Sequence, residues 1–192
     1  MKFKVGGDNR NGSVSVKIGT KGDSRDDSYN IDPSKRYSKF NRVLSERAGT
    51  GNAIVSATLD TSSEFIGYAN NECDGLALKS KGTIVPPQDS AAVAQGIIQE
   101  SIWMNIRIEQ ACKVHLTTTV ASDLDIAEVM FQGPSFAAPV KIYDDYDKTL
   151  DITKPGEYSL RCGYQLSARF PNTGLGGRPI VCEIEARLTP EP

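Results

Sequence analysis

Histidine and tryptophan are the scarcest residues in this sequence, with His115 and Trp103 the only ones in 192 positions. One imidazole excludes a histidine-rich catalytic metal site, and any hydrolytic triad would have to run through His115. That residue lies in KVHLTTT, on the polar phase opposite Val114 and Leu116, where an ordinary exposed strand residue is expected. No serine sits in a GxSxG elbow, and no cysteine carries a local nucleophile signature. Long apolar runs are missing as well. Nothing approaches the roughly 20 residues that a membrane-spanning helix needs, and the opening MKFKVGGDNRNG has no apolar signal segment. The expectation is a protein without a membrane span. It either remains where it is made, within a virion for example, or leaves by another route after losing a targeting piece.

Cys73, Cys112, Cys162 and Cys182 form no CxxC pair and show no zinc-like spacing. Cys162 and Cys182 fall on core-facing positions of two late strands. They are either free and buried or joined across the sheet in an oxidising compartment, and the missing export signal favours free thiols. The glycine clusters GTGN, GLGG and GG lack the strand–loop–helix context and the GK[ST] ending of a phosphate loop.

What the sequence does have is alternation. In TKPGEYSLRCGYQLSARF, Tyr158, Leu160, Cys162, Tyr164, Leu166, Ala168 and Phe170 share one face, and Ser159, Arg161, Gly163, Gln165, Ser167 and Arg169 share the other. Period two with one wet side predicts a half-buried antiparallel strand. The same pattern marks 13–19, 102–108, 112–120 and 180–188, and further strands are expected over 53–59, 64–69, 75–85 and 140–147. Between Ile108 and Cys112 the chain either bends within one long strand or turns in a tight hairpin. In the KPG turn, Pro155 suits the first central position and Gly156 the second, which needs positive φ. Strands with Gly/Pro-rich joints predict an all-β fold, an antiparallel β-sandwich of jelly-roll-like type with at most one or two short helices. One helix is expected over 38–48, where Ser38 caps, Phe40, Val43 and Leu44 cluster and Gly49 stops it. A second, weaker candidate starts at Asp89 and runs through Ala91, Ala92 and Ala94.

Charge divides the chain. Residues 1–50 hold eleven Lys or Arg against six Asp or Glu, a balance of +5, and the other 142 hold eleven against eighteen, a balance of -7. The expected organisation is therefore a Gly-rich basic N-terminal arm or hairpin over 1–48 ahead of a sandwich over 49–192. Such an arm could dock on an acidic body in a neighbouring copy. Its basic residues are dispersed among acids with few aromatics between, a weak footprint for nucleic acid.

Two sets of residues are candidates for binding. Trp103, Asn105 and Arg107 share one polar phase, and Arg161, Gln165 and Arg169 share another. A tryptophan among such residues either stacks on a sugar, enters a subunit contact or lies under the arm. Asp144, Asp145 and Asp147 in YDDYD offer oxygen ligands for calcium, the one cofactor to consider, as do Asp123, Asp125 and Glu128. NNECDG begins like an EF-hand loop but has Lys81 where the closing glutamate belongs. Finally, EVMFQGP, from Glu128 to Pro134, resembles the Gln-Gly recognition site of picornavirus-type 3C proteases. The resemblance covers seven residues and implies an exposed peptide or a polyprotein junction.

These features favour a non-enzymatic structural or assembly subunit, of coat, tail or appendage type, that forms homo-oligomers. The alternative is a carbohydrate- or cell-surface-binding sandwich module, calcium-dependent if the aspartates converge.

Overall fold

A strand that alternates strictly must bury one face, so the longest alternating segment shows where the core lies. In the computed structural model, which describes residues 1–19, 23–31, 38–123, 127–171 and 177–191, the seven residues from Tyr158 to Phe170 named above are all buried. The described residues form thirteen strands: β1 Phe3–Ile18, β2 Ser24–Ile31, β3 Lys39–Thr50, β4 Ala53–Ile66, β5 Glu72–Cys73, β6 Gly75–Val85, β7 Ala94–Ile108, β8 Cys112–Ser122, β9 Ala127–Gln132, β10 Val140–Ile142, β11 Tyr146–Ile152, β12 Gly156–Phe170 and β13 Ile180–Pro190. They make two antiparallel sheets. One has seven strands in the order β10-β9-β12-β7-β1-β2, with β5 beside β1, and the other has six in the order β11-β8-β13-β6-β4-β3. The inner faces share one apolar core that includes Phe3, Leu44, Leu59, Ile84, Ile102, Leu116, Phe131 and Ile184. No helix occurs among the described residues, and so none is long and apolar enough to cross a membrane.

At KPG the φ of Gly156 is positive, as expected, but at 152° it is nearly extended and opens β12 rather than occupying the second central position of a type II turn. Cys73, Cys162 and Cys182 are free and buried, and Cys112 is free and half-buried. Cys162 belongs to β12 and Cys182 to β13, in opposite sheets.

Three expectations about secondary structure are corrected. Residues 38–48 are not helical; from Lys39 on they belong to β3, an edge strand paired with β4 from Lys39↔Glu64 to Thr50↔Ala53. Leu44 and Ala48 are buried while Val43 is 60% exposed, so the expected cluster of Phe40, Val43 and Leu44 is split between the two faces of a strand. Asp89 caps no helix; its carboxylate accepts a hydrogen bond from Ala91 N at 3.0 Å in a turn, and Ala94 already opens β7. The chain between Ile108 and Cys112 is neither a bend nor a hairpin. It carries the chain from the seven-stranded sheet to the six-stranded one. Both strands bury even-numbered residues, so the alternation reads as continuous across the crossing.

The first 18 residues are likewise not a free arm. β1 lies between β7 and β2, with thirteen register pairs to β7. Phe3 and Val5 face inward, a bulge between Val5 and Asp8 shifts the phase, and Asp8, Arg10, Gly12, Val14 and Val16 then fill the inward positions. The bulge and the polar residues hide the strand from a search for apolar alternation. A Cβ on Gly12 would stand 2.7 Å from the Tyr29 ring and 2.8 Å from the Leu59 side chain, so that position belongs to close packing.

Several polar groups buried beside β1 meet one another. Arg10 pairs with Asp8 at 2.7 Å and lies 5.2 Å from the Phe40 ring centroid. Glu100, 4% exposed, accepts hydrogen bonds from Tyr29 Oη at 2.9 Å and from Ser80 Oγ. Ser80 also meets Tyr164 Oη at 3.0 Å. Burial pushes the Glu100 carboxyl up, and the hydroxyls of Ser80, Thr61 and Tyr29 temper that shift. The Tyr29 and Tyr164 hydroxyls are also pushed up, chiefly by burial and then by the nearby Glu100 charge.

Candidate functional site

Period two puts the odd-numbered residues of β7 and β12 on the outer face of the seven-stranded sheet, and register decides which of them meet. Arg161 lies opposite Trp103, Ser159 opposite Asn105 and Glu157 opposite Arg107. The Arg161 guanidinium sits 4.8 Å from the Trp103 ring centroid, a contact worth about 0.5–1 kcal/mol at an exposed site. Trp103 Nε1 donates to Ser101 Oγ at 3.0 Å. Asn105 Nδ2 donates to the Gly7 carbonyl at 2.8 Å, occupying an acceptor that the β1 bulge leaves outside the ladder. Arg107 comes within 3.9 Å of Glu157.

The structure thus gathers Trp103, Asn105, Arg107 and Arg161 into one patch. Gln165 and Arg169 stand apart, paired with Gln99 and Gln95. At the rise of an extended strand they are about 13 Å and 27 Å along β12 from Arg161.

Beside Asn105 the outer face opens into a cleft of about 370 Å³. Its polar wall is Asn105, Gln132, Glu157 and Ser159, and its apolar side includes Phe136 and Pro139. Sequence inspection placed only Asn105 in a binding set. The other residues come from β9, β12 and the loop after Gln132, and only strand order makes them neighbours. That loop is pinned. Phe136 N donates to the Gly133 carbonyl at 3.1 Å, and Ser135 Oγ accepts from Thr153 N at 2.9 Å and Lys154 N at 3.0 Å. Phe136 stands edge-on to Phe131 and Tyr158, at 5.6 and 6.3 Å between ring centroids. A Cβ on Gly133 would collide with the Tyr158 ring.

The aspartates do not converge. Asp144 offers its backbone carbonyl to Thr118 Oγ1 at 3.1 Å, Asp145 Oδ1 accepts from Val120 N at 3.1 Å, and Asp147 Oδ1 lies 2.9 Å from His115 Nε2. Asp123 Oδ2 accepts from Val181 N at 2.8 Å, Glu128 pairs with Lys141 at 3.2 Å, and Asp125 lies outside the described residues. Among the described residues no three His, Cys, Asp or Glu side chains gather as a metal site. His115 also faces Glu191, at 3.7 Å from Nδ1. Both ring nitrogens therefore look toward carboxylates, whereas a triad base must hold a hydroxyl or thiol nucleophile.

The basic residues of the N-terminal third are spread through the body. Lys4 pairs with Glu109 at 2.8 Å, Arg25 with Asp23 at 3.2 Å and Lys39 with Glu64 at 3.7 Å. Charge is asymmetric at the edges of the six-stranded sheet instead. Edge strand β3 carries Lys39, Arg42 and Arg47 against Glu46, a net +2. At the opposite edge, Asp147 and Asp151 of β11 join Asp144 and Asp145 against Lys148, a net -3 over 144–152. Arg42 and Arg47 make no ion pair among the described residues, and Val43 between them is 60% exposed. The outer face between these edges holds a groove of about 380 Å³. There Lys79 pairs with Glu183 at 3.3 Å and with Glu185, so its charges largely satisfy each other.

No family model matches the chain, and no curated protein matches it. Among solved structures, a GH31 alpha-xylosidase from Xanthomonas citri aligns at 8% identity and a TM-score of 0.27. The alignment covers 92% of this chain and 28% of that enzyme.

Proposed function

We propose that this chain is a non-enzymatic structural subunit, of coat, tail or appendage kind, that assembles head to tail through the edges of its six-stranded sheet. The observation that carries the proposal is the opposite charge of β3 and β11 at the two ends of one sheet. An open edge presents unpaired backbone donors and acceptors. Like charge opposes pairing of β3 with β3 or of β11 with β11, while β3 attracts β11 of the next copy. Such a contact is heterologous, and copies joined this way make rings or filaments rather than two-fold dimers.

The proposal includes a finer description of the body. From Gly75 on, the strand orders β6-β13-β8-β11 and β7-β12-β9-β10 support an eight-stranded jelly roll of two interlocked Greek keys. β1 and β2 extend one of its sheets, and β3 and β4 extend the other.

The test is native mass by light scattering across salt. The unmodified chain is expected to form oligomers that dissociate as salt screens the edges, since the Debye length is about 10 Å at 0.1 M. Arg42→Glu with Arg47→Glu should give monomers, as should Asp147→Lys with Asp151→Lys. An equimolar mixture of the two variants should associate again, because β3 of each is then opposite in charge to β11 of the other. A chain that stays monomeric at every salt concentration overturns the proposal.

A further inference from the structure

We infer that the cleft beside Asn105, on the outer face of the seven-stranded sheet, is a binding site for a neutral saccharide unit. It lies on the opposite sheet from the proposed assembly edges and does not depend on them.

Three observations carry the inference. First, the cleft contains unused hydrogen-bonding capacity. Ser159 is 7% exposed and lines the cleft, yet its hydroxyl has no partner among the described residues. That hydroxyl opens onto the cleft, so a ligand there can take the place of the water it would otherwise meet. Gln132 is also unpartnered, and Asn105 uses only its amide nitrogen, on Gly7. The wall therefore offers a hydroxyl, a whole carboxamide, a carboxamide oxygen and the Glu157 carboxylate, a mixture of donors and acceptors.

Second, the opposite side is apolar, formed by Phe136 and Pro139. A pyranose matches both sides, with C–H groups across a ring face and hydroxyls at the rim that donate and accept. An anion would meet the Glu157 carboxylate. A cation would compete with Arg107, already 3.9 Å from Glu157.

Third, the site is preformed. Ser135 ties the loop to Thr153 and Lys154, and Phe136 is held against Phe131 and Tyr158. A volume near 370 Å³ lies within the range of small-molecule sites. Trp103 is about 7 Å further along β7 from Asn105, where a second sugar of a longer glycan would reach the Trp103–Arg161 pair.

The experiment is saturation-transfer NMR on the full chain with a panel of methyl hexopyranosides at millimolar concentration. At least one panel member should receive saturation. Gln132→Ala, on the cleft rim, should abolish the transfer, as should Ser159→Val. Thr119→Val, on the other sheet, should leave it unchanged. Because Ser159 is buried, the Gln132→Ala result stands if the serine variant does not fold. No transfer to any member overturns the inference, and so does transfer that survives Gln132→Ala. Repeating the measurement on the Arg42→Glu/Arg47→Glu protein separates it from assembly, because sugar binding should persist there even if the unmodified chain proves monomeric.

Discussion

The Arg10 guanidinium and the Asp8 carboxylate meet at 2.7 Å with 0% and 1% of their side-chain surfaces exposed. A buried charge that loses its partner is far more costly than one never buried. Arg10→Met alone should therefore destabilise the fold by about 3–5 kcal/mol, and Asp8→Leu alone by a similar amount. The double variant should cost much less than the sum of the two. Urea unfolding of all four proteins measures the coupling, and simple additivity would show that the two charges do not support each other.

Glu100 makes stability fall with rising pH. Burial raises its carboxyl in the folded state, so the folded chain holds that proton more tightly than the unfolded chain. The stabilisation is complete below the ordinary glutamate value of about 4.3 and is lost as pH climbs through the raised folded value. Glu100→Gln keeps an acceptor for Tyr29 and Ser80 and removes the ionisation. Its melting temperature should gain on the parent's as pH rises from acid to mildly alkaline. Parallel melting curves across that range would rule out Glu100 as the source of the slope.

The four cysteines should differ in reactivity. Burial pushes Cys73 up to about 11, Cys162 well above its ordinary value and Cys182 upward. Cys112 is raised too but is only half-buried. Thiolate is the reacting form, so a thiol reagent added to folded protein should label Cys112 first. Peptide mapping after brief exposure checks the order. Equal labelling of Cys162 would mean that the core opens readily.

The bond between Gln132 and Gly133 should resist picornavirus-type 3C protease while the chain is folded. Gln132 pairs with Ser159 of β12, Phe131 is fully buried, and β10 covers the other side of β9 from Val129 to Phe131. The resemblance in EVMFQGP implied an exposed peptide, and the sheet does not provide one. Cleavage should appear only when denaturant is added, and rapid cutting of native protein would contradict the position of β9.

Where alternation was apolar and uninterrupted, as in Tyr158–Phe170 and Ile180–Leu188, the sequence revealed the strand and its buried face. It failed where polar or small residues take inward positions, as Asp8, Arg10 and Gly12 do in β1, because a hydropathy pattern does not register a buried ion pair or a glycine under a ring. It misled at Phe40, Val43 and Leu44, whose spacing of three and four suggested a helical face, although Val43 points outward from β3. The Trp103–Arg161 pairing follows from two correct strand phases, but their contact needed the register. Gln132, Phe136, Glu157 and Ser159 could not be linked from sequence, since strand order brings β9 beside β12.

The position of β13 between β6 and β8 bears on how the chain folds. It is the last of the thirteen strands to be synthesised, yet it joins the two halves of its sheet. Until it arrives, β3-β4-β6 and β8-β11 are separate ribbons with exposed edges, open to pairing with other chains. Nearly all pairings in the later strands span long stretches of sequence, a topology that folds slowly. A nascent chain stalled before Ile180 should therefore be the most aggregation-prone species this sequence produces, and its yield in cells should depend on chaperones that hold those ribbons apart.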